Sequence, residues 1–222
     1  MAHDSMPHYM AELVLADRPV LVVGGGRVAR RKIEGLLVTG ARVTVVAPHL
    51  DPVVAGWAAT GRIDHWPQAF SILLLDRPPR PLLVFAATDR AELNRSIGAA
   101  CRKHGLLCNS ADDPESSGFL VPAVVRRGAV TVAVGSGGRS PALMRVLKER
   151  IDAWLEPGWG ELAALFGHWR EAIQARIADP EIRQNFWRAT AVEAARDPEG
   201  PPLRGDAEAW FEARVREQGE SF

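Results

Sequence analysis

The sequence predicts an α/β protein with a doubly wound parallel sheet, followed by a β-hairpin with one helix and by a small helical domain. Two observations favour the parallel sheet. Between residues 10 and 110, short apolar segments alternate with segments of helical periodicity, which is typical of β-α-β units. Residues 82–87 are apolar throughout, as expected of a strand that is buried on both faces.

The first strand, residues 19–23, runs into three glycines and then into a predicted helix over residues 28–38. The spacing Gly24-x-Gly26-x-x-Ala29 is that of the dinucleotide-binding turn of Rossmann folds. Gly24 permits a tight turn, Gly26 lets a pyrophosphate approach the backbone, and Ala29 lets the helix pack close to the strand. The start of the helix would direct N–H groups and a positive dipole at the phosphates. We therefore predict a nucleotide site here, with a purely structural turn as the alternative.

The second predicted strand, residues 41–46, ends without the acidic residue that usually holds the ribose hydroxyls. The sequence at this place reads Ala47-Pro48-His49. Asp51 lies a little further along and either replaces the missing acid or caps the next predicted helix, residues 52–60. The residues themselves leave NAD and NADP open as cofactors.

Further predicted elements complete the alternation, namely a strand over residues 62–66, a helix over 89–104 and a strand over 106–109. Ligands of doubly wound sheets bind at the carboxyl ends of the strands. The residues at those ends are the candidate site: Gly24, Gly25, Gly26, Pro48, His49, Ala87, Thr88, Asp89, Asn109, Asp112 and Asp113.

The pattern changes near residue 118, where two β-like runs, residues 119–125 and 129–134, are joined by Arg126-Arg127-Gly128 as in a hairpin. Ser140 and Pro141 then open a helix as its cap and first residue. The helix has an apolar stripe of Leu143, Val146, Leu147, Ile151 and Leu155. Because the hairpin and helix are too small to form a core, we expect them to pair with a second copy in a homodimer.

Beyond Trp154 the sequence indicates helices, and we expect most of the tryptophans there to lie in a core. Residues 197–206 are predicted to be a loop before a last short helix. The predicted domains are residues 1–117, which bind the dinucleotide, residues 118–150, which dimerise, and residues 151–222, which are helical.

Composition excludes several classes of protein. The 27 basic and 27 acidic residues balance, so nothing indicates bulk attraction to nucleic acid or to an anionic membrane. The chain shows no signal-peptide pattern and no apolar run of membrane-spanning length, so we expect a cytoplasmic protein. Cys101 and Cys108 are expected to be buried free thiols. The six histidines lack metal-ligand spacings, so no resident metal is expected.

Four segments together resemble the bifunctional precorrin-2 dehydrogenase and sirohydrochlorin ferrochelatase family, the amino-terminal module of siroheme synthase. They occur in family order and lie within residues 8–155. The segments are residues 18–32 around the glycine turn; Ala86-Ala87-Thr88-Asp89; Cys108-Asn109 through Asp112, Pro114, Phe119 and Pro122; and residues 132–141, with Ser136-Gly137-Gly138-x-Ser140-Pro141.

The resemblance implies a Rossmann domain, an interlocked dimerisation hairpin and a helical domain. It implies NAD-dependent oxidation of precorrin-2 to sirohydrochlorin, and Fe²⁺ insertion that gives siroheme. It makes Asp112 the catalytic residue of both reactions, and it implies that Arg27, Val28, Pro48 and His49 contact the cofactor. The serine that matches Ser136 is phosphorylated in some members.

The candidate substrate contacts are Asn109, Ser136 and Arg139. Ser136 and Arg139 lie in the turn between the hairpin and the capped helix, and the guanidinium group of Arg139 would pair well with the many carboxylates of the tetrapyrrole. Arg126 and Arg127 either share that task or form an exposed hairpin tip. Several alternatives stay open at this point: Asp112 or Asp113 forms only a turn before Pro114, the enzyme lacks chelatase activity, or the chain is a non-catalytic NAD-sensing module.

Overall fold

The structure is a computed structural model that describes residues 8–111 and 113–219. Asp112, the predicted catalytic residue, therefore lies outside the described residues. The chain divides into two compact units, Met1–Val121 and Pro122–Phe222. The predicted domain boundaries at residues 117 and 150 stay predictions.

The first unit contains a five-stranded parallel sheet in the order β3-β2-β1-β4-β5. Its strands are β1 Pro19–Val23, β2 Arg42–Val46, β3 Asp64–Trp66, β4 Leu83–Ala86 and β5 Leu107–Ser110. Its helices are α1 Arg27–Leu37, α2 Pro52–Ala59 and α3 Ala91–Lys103, with a 3₁₀ turn at Ile72–Leu75. The predicted fold class is confirmed.

Strand β1 shows why the sheet is wound on both faces. Val20 and Val22 pack into one core with Ile33 of α1, whereas Leu21 and Val23 pack into the other core with Ile97 of α3. Successive side chains of a strand point to opposite faces, so an all-apolar strand needs a helical layer on each side. The helix that follows β1 packs on one face of the sheet, and the helix that follows β4 packs on the other face. Strands β1 and β4 are neighbours in the sheet. This reversal places a crevice at their carboxyl ends.

The second unit begins with the predicted hairpin, in which β6 Ala123–Arg127 pairs antiparallel with β7 Val130–Val134. Its helices are α4 Pro141–Trp154, α5 Gly158–Arg176, α6 Pro180–Ala194, α7 Pro201–Arg204 and α8 Ala207–Gly219. Ser140 caps α4 as predicted, accepting a hydrogen bond from the N–H of Leu143 at 3.3 Å. The predicted loop over residues 197–206 is wrong at α7, where Pro201 starts one helical turn because its fixed φ suits that position.

An aromatic cluster forms the core of the second unit. Trp169 stacks on Phe211 with ring centroids 4.4 Å apart, and Phe186 packs beside them. The indole N–H of Trp169 donates to the carboxylate of Glu208 at 2.9 Å, which satisfies its one polar group. Trp169 thus lies in the core, as expected for most of these tryptophans. Trp154, at the end of α4, is 67% exposed and does not.

Helix α4 has no buried residue. Of its predicted apolar stripe, Leu143 is 52% exposed and Val146 is 45% exposed, whereas Leu155, just after the helix, is buried. An apolar face of a long helix is thus left open within this unit. No helix among residues 8–111 and 113–219 is both long enough and apolar enough to cross a membrane.

Candidate functional site

The glycine turn follows β1 and is held between the ends of β2 and β4. Gly24 has φ +117°, a region that favours glycine, and an added Cβ would lie 2.3 Å from the carbonyl oxygen of Ala87. An added Cβ on Gly25 would lie 2.2 Å from the carbonyl oxygen of His49. Both glycines are therefore required by backbone packing, because a side chain at either position would push neighbouring backbone away.

Gly26 differs from these two glycines. It is exposed, its φ of −88° suits any residue, and an added Cβ would meet nothing within 4 Å. It is the N-cap of α1, and no side chain caps the helix there. Open space thus faces the uncapped start of an eleven-residue helix, which is the arrangement that binds phosphate. The cofactor contact that the sequence predicts for Gly26 stays a prediction, and the open space that it requires is present.

The loop after β2 lies against the glycine turn. The N–H of Asp51 donates to the carbonyl of Gly25 at 2.7 Å. The Asp51 carboxylate accepts from the N–H of Val53 at 2.9 Å as the cap of α2, and lies 3.7 Å from Arg30. The interpretation of Asp51 as a helix cap is confirmed. Pro48 and His49, which precede it in the same loop, are exposed.

A side chain that the sequence analysis missed holds the turn after β4. Asn94 of α3 is 3% exposed, and its amide makes three hydrogen bonds to Thr88. The N–H of Ala87 donates to the carbonyl of Val23 at 2.8 Å, so this turn is also tied to β1. Asp89 is exposed. The sequence held one signal that could have revealed Asn94: this polar residue directly follows Leu93, which belongs to the predicted apolar face of the helix.

Asn109, the last but one residue of β5, is a buried polar residue, 5% exposed. Its amide N–H donates to the carbonyl of Phe119 at 3.1 Å, whereas its Oδ1 finds no donor among the described residues. Phe85 pairs with Asn109 in register and meets Phe119 edge to face at 5.4 Å. A buried acceptor without a donor is costly in water-free surroundings. The Oδ1 of Asn109 can therefore accept a hydrogen bond from an N–H group.

Asp113 forms the turn that the sequence predicts for it. Its carboxylate accepts from the N–H groups of Glu115 and Ser116 at 3.1 and 3.2 Å. Behind the site, Cys101 and Cys108 are buried free thiols, as expected. The hydrogen bond that the Cys101 thiol donates to Cys108, together with burial, raises the pKa of the Cys101 thiol, so this thiol stays protonated at neutral pH.

In the second unit, Ser136 and Arg139 belong to a turn that precedes α4. The hydroxyl of Ser136 accepts from the N–H of Ser140 at 3.0 Å, and the carbonyl of Ser136 accepts from the N–H of Arg139 at 3.2 Å. Arg139 is exposed. The turn is therefore held by hydrogen bonds to Ser136, and Arg139 directly precedes Ser140, the N-cap of α4.

Arg127 has a different role from the one considered in the sequence. Its guanidinium donates to the Asp152 carboxylate at 3.0 Å, to the carbonyl of Asp152 at 2.7 Å and to that of Leu155 at 2.8 Å. Its fixed fork thereby ties the hairpin to the end of α4. Arg126 is exposed at the end of β6.

Parallel strands bring the predicted site residues of the first unit to one edge. These residues lie at or just after the carboxyl ends of β1, β2, β4 and β5. They are Gly24–Gly26, Pro48, His49, Ala87–Asp89 and Asn109. The edge combines an open helix start with a buried acceptor beside two aromatic rings. This arrangement suits a dinucleotide and a flat partner that carries N–H donors.

Comparison with known proteins matches both units. A family model described as putative NAD(P)-binding matches residues 12–123, half of the chain, and a second, described as the sirohaem synthase dimerisation region, matches residues 158–197. The latter residues lie in α5 and α6 and the segment after it, beyond the hairpin for which dimerisation was predicted.

Named relatives point the same way. A siroheme synthase of Thioalkalivibrio sulfidiphilus is 42% identical over 83% of the chain and 36% of its own length. Another, of Hydrogenovibrio crunogenus, is 34% identical over 99% of the chain and 46% of its own length. The chain thus spans less than half the length of these curated relatives. A solved structure named SirC, precorrin-2 dehydrogenase, shares the fold, with a TM-score of 0.70 over 96% of this chain and 98% of that chain at 24% identity.

Proposed function

The chain belongs to the family of the amino-terminal module of siroheme synthase, and from this we propose that it oxidises precorrin-2 to sirohydrochlorin with NAD. The observation that carries the proposal is the uncapped start of α1, where Gly26 leaves open space at the crevice of the sheet. A cofactor pyrophosphate fits this cradle, which a side chain at position 26 would fill.

The reaction removes two electrons and two protons from precorrin-2. NAD, when bound, would supply the hydride acceptor, so that one hydride and one proton would leave the substrate. We assign the proton to the carboxylate of Asp112, which comes two residues after the end of β5 in the sequence. The Asn109 Oδ1, which finds no donor among the described residues, accepts a hydrogen bond from a pyrrole N–H in this proposal and orients the ring.

Chelation is the second activity that we propose. Fe²⁺ is a substrate in this step, and pyrrole N–H protons must leave as the metal enters. The same carboxylate of Asp112 can take those protons in turn. A dehydrogenase-only member would lack this step, and supplying sirohydrochlorin and Fe²⁺ without NAD separates the two possibilities.

We further propose that the chain acts as a homodimer. The matched dimerisation region and the exposed apolar stripe of α4 both lie in the second unit, which supports dimerisation through this unit. In this proposal the carboxylates of the tetrapyrrole contact Arg139 and the Ser136 turn. The cytoplasmic location stays a prediction.

The decisive experiment is incubation of the chain with precorrin-2 and NAD while NADH absorbance is followed. Asp112→Ala should keep NAD binding and lose about 10²–10⁴ in rate, as is typical when a positioned base is removed. Asp113→Ala is the matched control, because its carboxylate serves the turn to Glu115 and Ser116.

Equal losses in the two variants, or full activity in Asp112→Ala, would remove Asp112 from the mechanism. Binding of NAD without any turnover or tetrapyrrole binding would instead favour the NAD-sensing alternative.

A further inference from the structure

Asn94 stands out because the predicted chemistry does not use it, although its side chain is almost fully buried. The N–H of Thr88 and the hydroxyl of Thr88 donate to its Oδ1 at 3.1 and 2.7 Å. Its Nδ2 donates to the carbonyl of Thr88 at 3.0 Å. One planar amide thus satisfies both backbone polar groups of a single loop residue, as a neighbouring strand would.

Thr88 lies where β4 has ended and α3 has not begun. The next residue with regular structure is Ala91, and the N-cap residue Arg90 makes no side-chain cap. The N–H of Arg90 instead donates to the Thr88 hydroxyl at 3.2 Å. The direction of the backbone at Thr88 therefore depends on the amide of Asn94.

The same backbone forms the wall opposite the glycine turn. Ala87 precedes Thr88. The carbonyl oxygen of Ala87 lies only 2.3 Å from the position that a Cβ on Gly24 would take. The N–H of Ala87 donates to the carbonyl of Val23 at 2.8 Å. A rotation of the Thr88 peptide would consequently move the wall of the crevice between β1 and β4.

We propose that Asn94 is a positioning residue for the dinucleotide, which acts by fixing the Ala87–Thr88 backbone at the crevice rather than by contacting the cofactor itself. The inference rests on the proposed cofactor site. It predicts that a change at Asn94 alters NAD affinity beyond its effect on folding stability.

The test uses Asn94→Asp in the full chain, titrated with NAD. The variant keeps the size and the acceptor, but it places a second oxygen against the carbonyl of Thr88 in place of the Nδ2 donor. The dissociation constant for NAD should rise about tenfold, as expected for the loss of one buried hydrogen bond and the creation of one repulsive contact. In turnover, KM for NAD should rise while kcat changes little, because uniform binding is lost.

The matched control is Ile97→Val, on the same helix and fully buried. It should lower the melting temperature by removing one methylene from the core, and it should leave NAD affinity unchanged. Thr88→Val serves as a second variant, since it removes the hydroxyl with its contacts to Asn94 and Arg90 and keeps both backbone bonds to Asn94.

Unchanged NAD affinity in Asn94→Asp and Thr88→Val would overturn the inference. So would an equal rise of the dissociation constant in Ile97→Val at a comparable loss of melting temperature, since stability alone would then explain the effect. A wild-type chain that binds no NAD would overturn the proposed function and this inference together, whereas loss of affinity only in the variants at Asn94 and Thr88 supports both.

Discussion

Gly26→Val should remove NAD binding and leave the fold intact. The added Cβ would meet no protein atom within 4 Å, and φ at this position suits valine. The cost to folding is then confined to the weaker preference for valine at an N-cap, about 1 kcal/mol. The side chain would instead occupy the space through which a pyrophosphate reaches the first N–H groups of α1.

The expected loss of affinity follows from the bonds that the phosphate could no longer make. A hydrogen bond to a charged group is worth about 1.5–3 kcal/mol, so two lost bonds correspond to about 3–6 kcal/mol. At 1.4 kcal/mol for each factor of ten, the dissociation constant for NAD should rise about 10²–10⁴-fold. Titration calorimetry with NAD measures this rise, and circular dichroism with thermal melting verifies the fold.

Two variants sharpen the assay. Gly26→Ala adds a smaller side chain at the same open position and should weaken binding less than Gly26→Val. Gly25→Ala should instead destabilise the chain itself, because its Cβ would lie 2.2 Å from the carbonyl oxygen of His49. Unchanged NAD affinity in a folded Gly26→Val chain would show that the cofactor does not use this turn.

Three further outcomes are expected. Ser136→Asp should weaken tetrapyrrole binding more than NAD binding, because it adds negative charge beside a polyanionic substrate. Ser136→Ala is the control. Equal effects of Ser136→Asp on both ligands would contradict the placement of Ser136 beside the tetrapyrrole. The free energy of unfolding should fall as pH rises above the ordinary thiol pKa of about 8.5, because the folded pKa of Cys101 is raised. Cys101→Ala should flatten that slope in urea titrations at several pH values, and an unchanged slope would exclude the thiol. Sedimentation should show a dimer of the 24.2 kDa chain. Val146→Asp, which puts a charge on the exposed apolar face of α4, should shift the equilibrium towards monomer. A wild-type chain that is monomeric at micromolar concentration would refute the dimer.

The amino-acid sequence predicts the sheet correctly because the signals are local or periodic. An all-apolar β4 is expected to lie between two layers, and the alternation of strands and helices predicts the parallel sheet that is observed. The caps are equally local: Ser140 with Pro141 at α4 and Asp51 with Pro52 at α2 act within one helical turn.

Only the tertiary structure decides which side chains meet across elements. The spacing of three glycines did not reveal that Gly25 is required by the carbonyl of His49, since the two lie on different loops. Asn94 was missed because its partner Thr88 lies outside its helix, and Arg127 because its partners lie 25 and 28 residues away. The exposure of α4 was hidden for the same reason, since periodicity shows that a helix has an apolar face but not what covers it. Local conformation and periodic burial can be predicted from residues that are close in sequence. The polar contacts that shape this site depend instead on the distance between elements after folding.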